Sequence, residues 1–308
     1  MMINRVRAMY FSGTGTTAKV ASAVAYRMWQ RMAETVKSAE SKGGMDIRNG
    51  GAGFVKAPNI DFTPKAARDE KYSFDENDIV VFGTPVIAGR VPNVLLKFLD
   101  TLEGGGAIAV PVVLYGNRNF DDALIELRNI LESKGFHTVA AAAFIGEHSF
   151  SRTLAAGRPD VKDMEIAESF ADNAADKLMG IIRDCGGDSD SIRDALQKAG
   201  PVRVEGQEPL RPYYKPRDRK GNHINILKVK PKLDGDKCNG CGTCAEVCPM
   251  GSIKKETPGI VDGICIKCCG CVKKCPQEAL YFDDAGYLYH KEELELGYAD
   301  RKEPELFL

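Results

Sequence analysis

Short apolar runs alternate with stretches of helical periodicity along residues 4 to about 185. The runs at 6–11, 79–83, 110–115 and 139–145 are apolar on consecutive positions, as expected of strands buried on both faces. A shorter strand is expected near 59–62. Between the runs, residues 17–37, 92–101, 120–133 and 161–183 read as helices. This alternation predicts the α/β class, with a doubly wound parallel sheet covered by helices on both sides. Residues 41–58 break the pattern. Ser41-Lys42-Gly43-Gly44 and Asn49-Gly50-Gly51-Ala52-Gly53 are poor helix and strand material, so a surface insertion is expected after the first helix.

The pattern changes again at residues 200–236. That stretch holds Pro201, Pro209, Pro212, Pro216 and Pro231, and a run of basic residues from Arg203 to Lys232. It reads as a basic, proline-rich linker: a solvated connector, or a docking surface for an acidic redox partner aided by Tyr213 and Tyr214. The expected organisation is a first domain over 1–199, the linker over 200–236, a small α+β domain over 237–283 and a tail over 284–308.

Composition narrows the function. The formal net charge of −1 gives no reason to expect nucleic acid or a membrane surface as partner. No run of eighteen apolar residues exists, and the first residues lack the apolar core of a signal peptide. Ten cysteines are present, nine of them between Cys238 and Cys275. Crowding of this kind in a long chain points to metal binding in a reducing compartment, so a cytoplasmic location is expected.

The cysteines form an internal repeat. Cys238, Cys241, Cys244, Cys248 and Pro249 recur 27 residues later as Cys265, Cys268, Cys271, Cys275 and Pro276. Each copy is Cys-x-x-Cys-x-x-Cys-x-x-x-Cys-Pro, the run that binds four-iron, four-sulfur cubanes. Three close cysteines wrap one corner of a cluster, with Gly240, Gly242 and Gly270 letting the backbone curl. The fourth cysteine serves the other cluster in two-cluster proteins. Cys238, Cys241, Cys244 and Cys275 are therefore expected on one cluster, and Cys265, Cys268, Cys271 and Cys248 on the other. Structural zinc would instead use two ligand pairs separated by a longer loop. Cys269 stands at the repeat position of Gly242, as a small non-ligand residue or a spare thiolate. Cys185 is expected to be structural.

A second candidate site opens the first helix. Ser12, Gly13, Thr14, Gly15, Thr16 and Thr17 follow the first strand. Glycines let the backbone approach an anion, and a helix N-terminus attracts it. The segment also fits the dinucleotide pattern through Gly13, Gly15 and Ala18, but Glu34, the acidic residue at about the right distance, lies within a predicted helix. The four hydroxyls suit a terminal phosphate monoester better than a pyrophosphate. The segment resembles the phosphate loop of flavodoxins, which hold flavin mononucleotide (FMN). Two later loops agree: one with Thr84, Pro85, Val86, Ala88 and Gly89, the other with Tyr115, Gly116, Asn117, Arg118 and Phe120. Both follow strands at the carboxyl end of the sheet, where doubly wound proteins bind ligands. Val86 and Ile87 replace the aromatic ring that many flavodoxins present, leaving Tyr115 or Phe120 to stack on the flavin.

Taken together, the chain resembles the ferredoxins that carry an N-terminal flavodoxin-like domain. Residues 140–158, with Phe144-Ile145-Gly146-Glu147-His148-Ser149-Phe150, resemble that family as well. The resemblance implies strand order 2-1-3-4-5, two [4Fe-4S] clusters and FMN. The function expected is electron transfer between a redox protein partner and the flavin, coupling one-electron to two-electron steps. A flavin-dependent reductase of a small-molecule acceptor, a quinone or nitro compound, is the alternative, and a redox sensor a third. Electron exchange within a chain and across a homodimer are both open.

Overall fold

The computed structural model describes residues 4–41 and 54–308. Most of the insertion expected at 41–58 lies outside the described residues. The first strands and helices are β1 (Arg5–Tyr10), α1 (Thr16–Ser41), β2 (Val55–Lys56), β3 (Ile60–Asp61), β4 (Asp78–Pro85) and α2 (Asn93–Leu99). They are followed by β5 (Ile108–Tyr115), α3 (Ala123–Ser133), β6 (His137–Thr138), β7 (Ala141–Ile145), α4 (Val161–Asp184) and α5 (Ser189–Ala199). The cysteine-rich part contains β8 (Lys232–Leu233), α6 (Thr243–Glu246), β9 (Ile253–Lys254), β10 (Thr257–Val261), α7 (Gly270–Lys273) and β11 (Leu280–Tyr281). The chain ends with α8 (Ala285–Gly297) and β12 (Glu305–Phe307).

The main sheet runs β12-β7-β5-β4-β1-β2, with β3 also paired to β1 and β6 to β5. All its pairs are parallel except β12 on β7. Counting β2 and β3 as one broken strand, the parallel part has order 2-1-3-4-5, as expected. Alternate residues of each strand feed two cores. Ile79 and Val81 pack under α1, α4 and α5, whereas Val80 and Phe82 pack with residues of α2 and α3. That is why the strand sequences are continuously apolar.

Two local features position the site. A Cβ at Gly83 in β4 would lie 3.0 Å from Ala21 Cβ and from Thr17 Cγ2. The bare glycine thus lets the first turns of α1 sit close on the sheet. α4 begins with a capping box in which Asp160 accepts from the Asp163 N–H, and Asp163 in turn holds Arg158 through a buried ion pair.

The cysteine-rich lobe is a twofold repeat in space as well as in sequence. β9 pairs with β10 and β8 with β11, all antiparallel. A short helix follows the second cysteine of each motif, α6 after Gly242 and α7 after Cys269. Both cap residues adopt the left-handed region, φ 83° at Gly242 and 57° at Cys269. Residues 284–308, expected as a tail, carry α8 and a strand that extends the main sheet.

Candidate metal centres and the loops beneath them

The eight motif cysteines gather into two groups of four. Cys238, Cys241, Cys244 and Cys275 line one cavity, while Cys248, Cys265, Cys268 and Cys271 line another. The last cysteine of each motif therefore crosses to the other group. The backbone repeats around both. Ser252 N–H points to Cys248 Sγ at 3.3 Å, and Ala279 N–H points to Cys275 Sγ at 3.4 Å, each four residues beyond its cysteine. Such N–H···S bonds help set a cluster's potential. Among the described residues, no three acidic, histidine or cysteine side chains close on a point as a single metal ion would require. Each group of four lines its own cavity.

The two groups differ in exposure. Cys241 is exposed, and the Thr243 hydroxyl holds its thiol below the usual value. The four cysteines of the second group are all half-buried, whereas the first group spans the exposed Cys241 and the buried Cys244. Burial pushes the Cys268 thiol up to about 11 and raises Cys271 as well. Buried thiols must release protons on metal binding, so loading of this group couples strongly to pH. Cys269 also borders this second space, with Sγ 3.3 Å from Lys267 O and 3.5 Å from the Tyr287 hydroxyl. Cys185 lies apart, at the end of α4, with Sγ 3.5 Å from Ser191 O.

The second group adjoins the loops at the carboxyl ends of the parallel strands. A Cβ added to Gly13 would lie 2.9 Å from Cys268 Cβ and 3.4 Å from its Sγ. One added to Gly270 would lie 2.7 Å from Gly13 O. Ser12 is tied inward, its N–H donating to Thr63 Oγ1 and its Oγ accepting from Ala18 N–H. Thr17 is buried, and Thr16 packs on Gly146. Arg68 donates to Pro249 O, and Ile266 packs against the same apolar core as Val86.

The two later loops are covered by distant parts of the chain. Tyr214 N–H donates to Ala88 O at 2.8 Å, and its ring lies between the Arg118 guanidinium and His290. Tyr213 donates to Val91 O, and Arg211 N–H to Asp122. Asn117 Nδ2 donates to the carbonyls of Tyr298 and Asp300, and Lys302 donates to Arg118 O. Tyr115 and Phe120 are buried against each other at 5.6 Å rather than facing outward. Gly116 abuts His148, whose Nδ1 accepts from Phe150 N–H. Two buried polar atoms of these loops, Thr84 Oγ1 and Asn117 Oδ1, have no partner. Thr84 is 0% exposed and Asn117 2%, so neither adjoins open space. Glu34 lies within α1, 3.9 Å from Arg27, and not at the end of a second strand.

Sequence reasoning missed Arg68, Lys273, Tyr298, Asp300 and Lys302. Only Lys273 lies within a motif, at a variable position between Cys271 and Cys275. Tyr213 and Tyr214 were visible only as aromatics within a basic linker.

The 4Fe-4S binding domain family matches residues 231–254, which contain the first motif. Pyruvate synthase subunit PorD of Methanothermobacter marburgensis is 44% identical over 63 residues, 20% of this chain and 75% of that protein. Among solved structures, a flavodoxin from the domain Archaea is 18% identical with a TM-score of 0.35, covering 56% of this chain and 97% of its own. Rubredoxin oxygen:oxidoreductase from Desulfovibrio gigas is 15% identical with a TM-score of 0.30, covering 63% of this chain and 36% of its own. At those scores the strand order, rather than either superposition, defines the fold. No described helix is long and apolar enough to cross a membrane.

Proposed function

Because the chain belongs to the ferredoxins that carry an N-terminal flavodoxin-like domain, we propose that it transfers electrons through two [4Fe-4S] clusters. Cys238, Cys241, Cys244 and Cys275 hold cluster I, and Cys265, Cys268, Cys271 and Cys248 hold cluster II. The observation that carries this reading is the pair of four-cysteine cavities with the fourth ligands exchanged. When bound, the clusters accept and release single electrons. The protein's own part is to fix the eight thiolates and aim backbone N–H groups at the sulfurs. It also gives the two clusters unequal access to water.

Exposure of Cys241 makes cluster I the port for a redox protein partner, and cluster II the interior stop. The basic linker offers less free charge to such a partner than its sequence suggests. Arg219 pairs with Glu293, Lys232 with Asp283, and Lys230 donates to Val261 O. Anaerobic iron and sulfide analysis, combined with electron paramagnetic resonance of the reduced protein, tests the assignment. About eight irons and two four-iron signals are expected. Stoichiometric zinc, with no iron after reconstitution, would overturn it.

Coupling to FMN is a second reading. It is favoured by the phosphate-type loop at residues 12–17. Against it stands the cover over all three loops. The flavin content of the same anaerobic sample tests it.

A further inference from the structure

The contacts that cover the three loops are made by the chain itself. We propose that the flavin-type loops of this protein are the seat of its own cluster II, and that the cluster-loaded chain holds no FMN. The inference rests on the two-cluster reading above.

Three observations converge. The phosphate-type loop is in direct contact with a cluster II cysteine: no side chain fits at Gly13 without displacing Cys268, and none fits at Gly270 without displacing Gly13 O. Next, both other loops are held by distant segments, Ala88 by Tyr214, and Asn117 and Arg118 by residues 298–302. Finally, the bridging segments are fastened elsewhere. β12 pairs with β7 from Glu305↔Ala143 to Phe307↔Ala141, and Arg301 pairs with Asp160 at 2.6 Å. A flavin would have to dislodge a sheet strand and a linker, not one side chain.

The chemistry is consistent with the exchange. A loop that opens a long helix favours negative charge, because unpaired N–H groups and the helix dipole point at it. A cubane held by four thiolates is anionic, as a phosphate monoester is. The same loop can therefore serve a cluster lobe without changing its residue types, which is why its sequence still resembles a flavin site.

The test uses the full chain, purified anaerobically. Iron analysis comes first: about eight irons confirm the two-cluster premise, and about four, with the Cys265 group empty, remove the premise and the seat with it. FMN is then titrated into the eight-iron protein and followed by quenching of flavin fluorescence. No saturable binding is expected. Stoichiometric FMN with eight irons retained overturns the proposal while leaving the two clusters intact. Gly13→Val adds an independent reading, because Gly13 φ lies outside the left-handed region and the substitution acts through packing. Four of the eight irons should be released to a chelator roughly tenfold faster than in the parent, and the other four at the parent rate. Unchanged release of all eight would show that the loop does not seat cluster II.

Discussion

Lys273, in the short helix within the second cysteine motif, places its ammonium on the Glu147 carboxylate of the loop after β7. The same nitrogen donates to His148 O at 2.8 Å and to Ser151 O. One side chain, only 10% exposed, thus satisfies three acceptors of the other domain. Lys273→Met removes the charge but keeps the stem. It should weaken the docking of the two lobes by about 2–3 kcal/mol, less than a fully buried pair because Glu147 is partly solvated. Hydrogen exchange of residues 147–157 should rise while β4 and β5 stay protected. Unchanged exchange would deny the tie.

Arg158→Ala should be the most damaging change far from the cysteines. Arg158 is 6% exposed, Asp163 is 0%, and Arg158 also donates to Lys302 O at 2.7 Å. Removing the guanidinium leaves the buried Asp163 with Arg301 at 3.4 Å and the Asp160 N–H, and leaves Lys302 O unpaired, costing about 3 kcal/mol. Denaturant unfolding measures this directly. A loss below about 1 kcal/mol would place the pair among ordinary surface bridges.

Acid should loosen the same region. Burial, then the nearby Lys273 and His290 charges, push His148 down to about 4 against the opposing pull of Glu295. The folded protein keeps this ring neutral while the unfolded chain protonates it below about 6.5. Stability therefore falls as pH drops from 6.5 toward 4. Burial raises the Glu147 carboxyl, but Gly157 N–H and Lys273 outweigh it and hold the group low. Its contribution is likewise lost on acidification. Between pH 7 and pH 5, His148 accounts for about 2 kcal/mol. His148→Gln should flatten the slope of stability against pH in that window, and an unchanged slope would show that the ring titrates normally.

Cys241→Ser and Cys269→Gly separate ligand from neighbour. The first should cost about four irons and leave the other cluster in place. The second should keep all eight and relieve the left-handed strain at φ 57°, a gain of about 1 kcal/mol set against lost packing on Tyr287. Loss of four irons in Cys269→Gly would make Cys269 a ligand.

Local rules carried much of the reading. Strands buried on both faces write continuous apolar runs, so β1, β4, β5 and β7 were legible from residues 6–11, 79–83, 110–115 and 139–145. The cysteine grouping was legible because cluster ligation fixes the spacing of three cysteines locally and the second copy of the motif supplies the fourth. α5 was not identified, since its apolar contribution to the core is confined to Ile192 and Leu196. β12 was equally silent: its partner is Ala141–Ala143, some 160 residues earlier, and an edge strand of three residues has no period to read. The loops at Ser12, Thr84 and Tyr115 show the division most clearly. Their residue types record an anion-tolerant backbone at a helix N-terminus, which sequence alone determines. What covers them depends on Cys268, Tyr214 and Tyr298 arriving from remote parts of the chain, and only tertiary packing decides that, because van der Waals contact between distant segments leaves no pattern in either one.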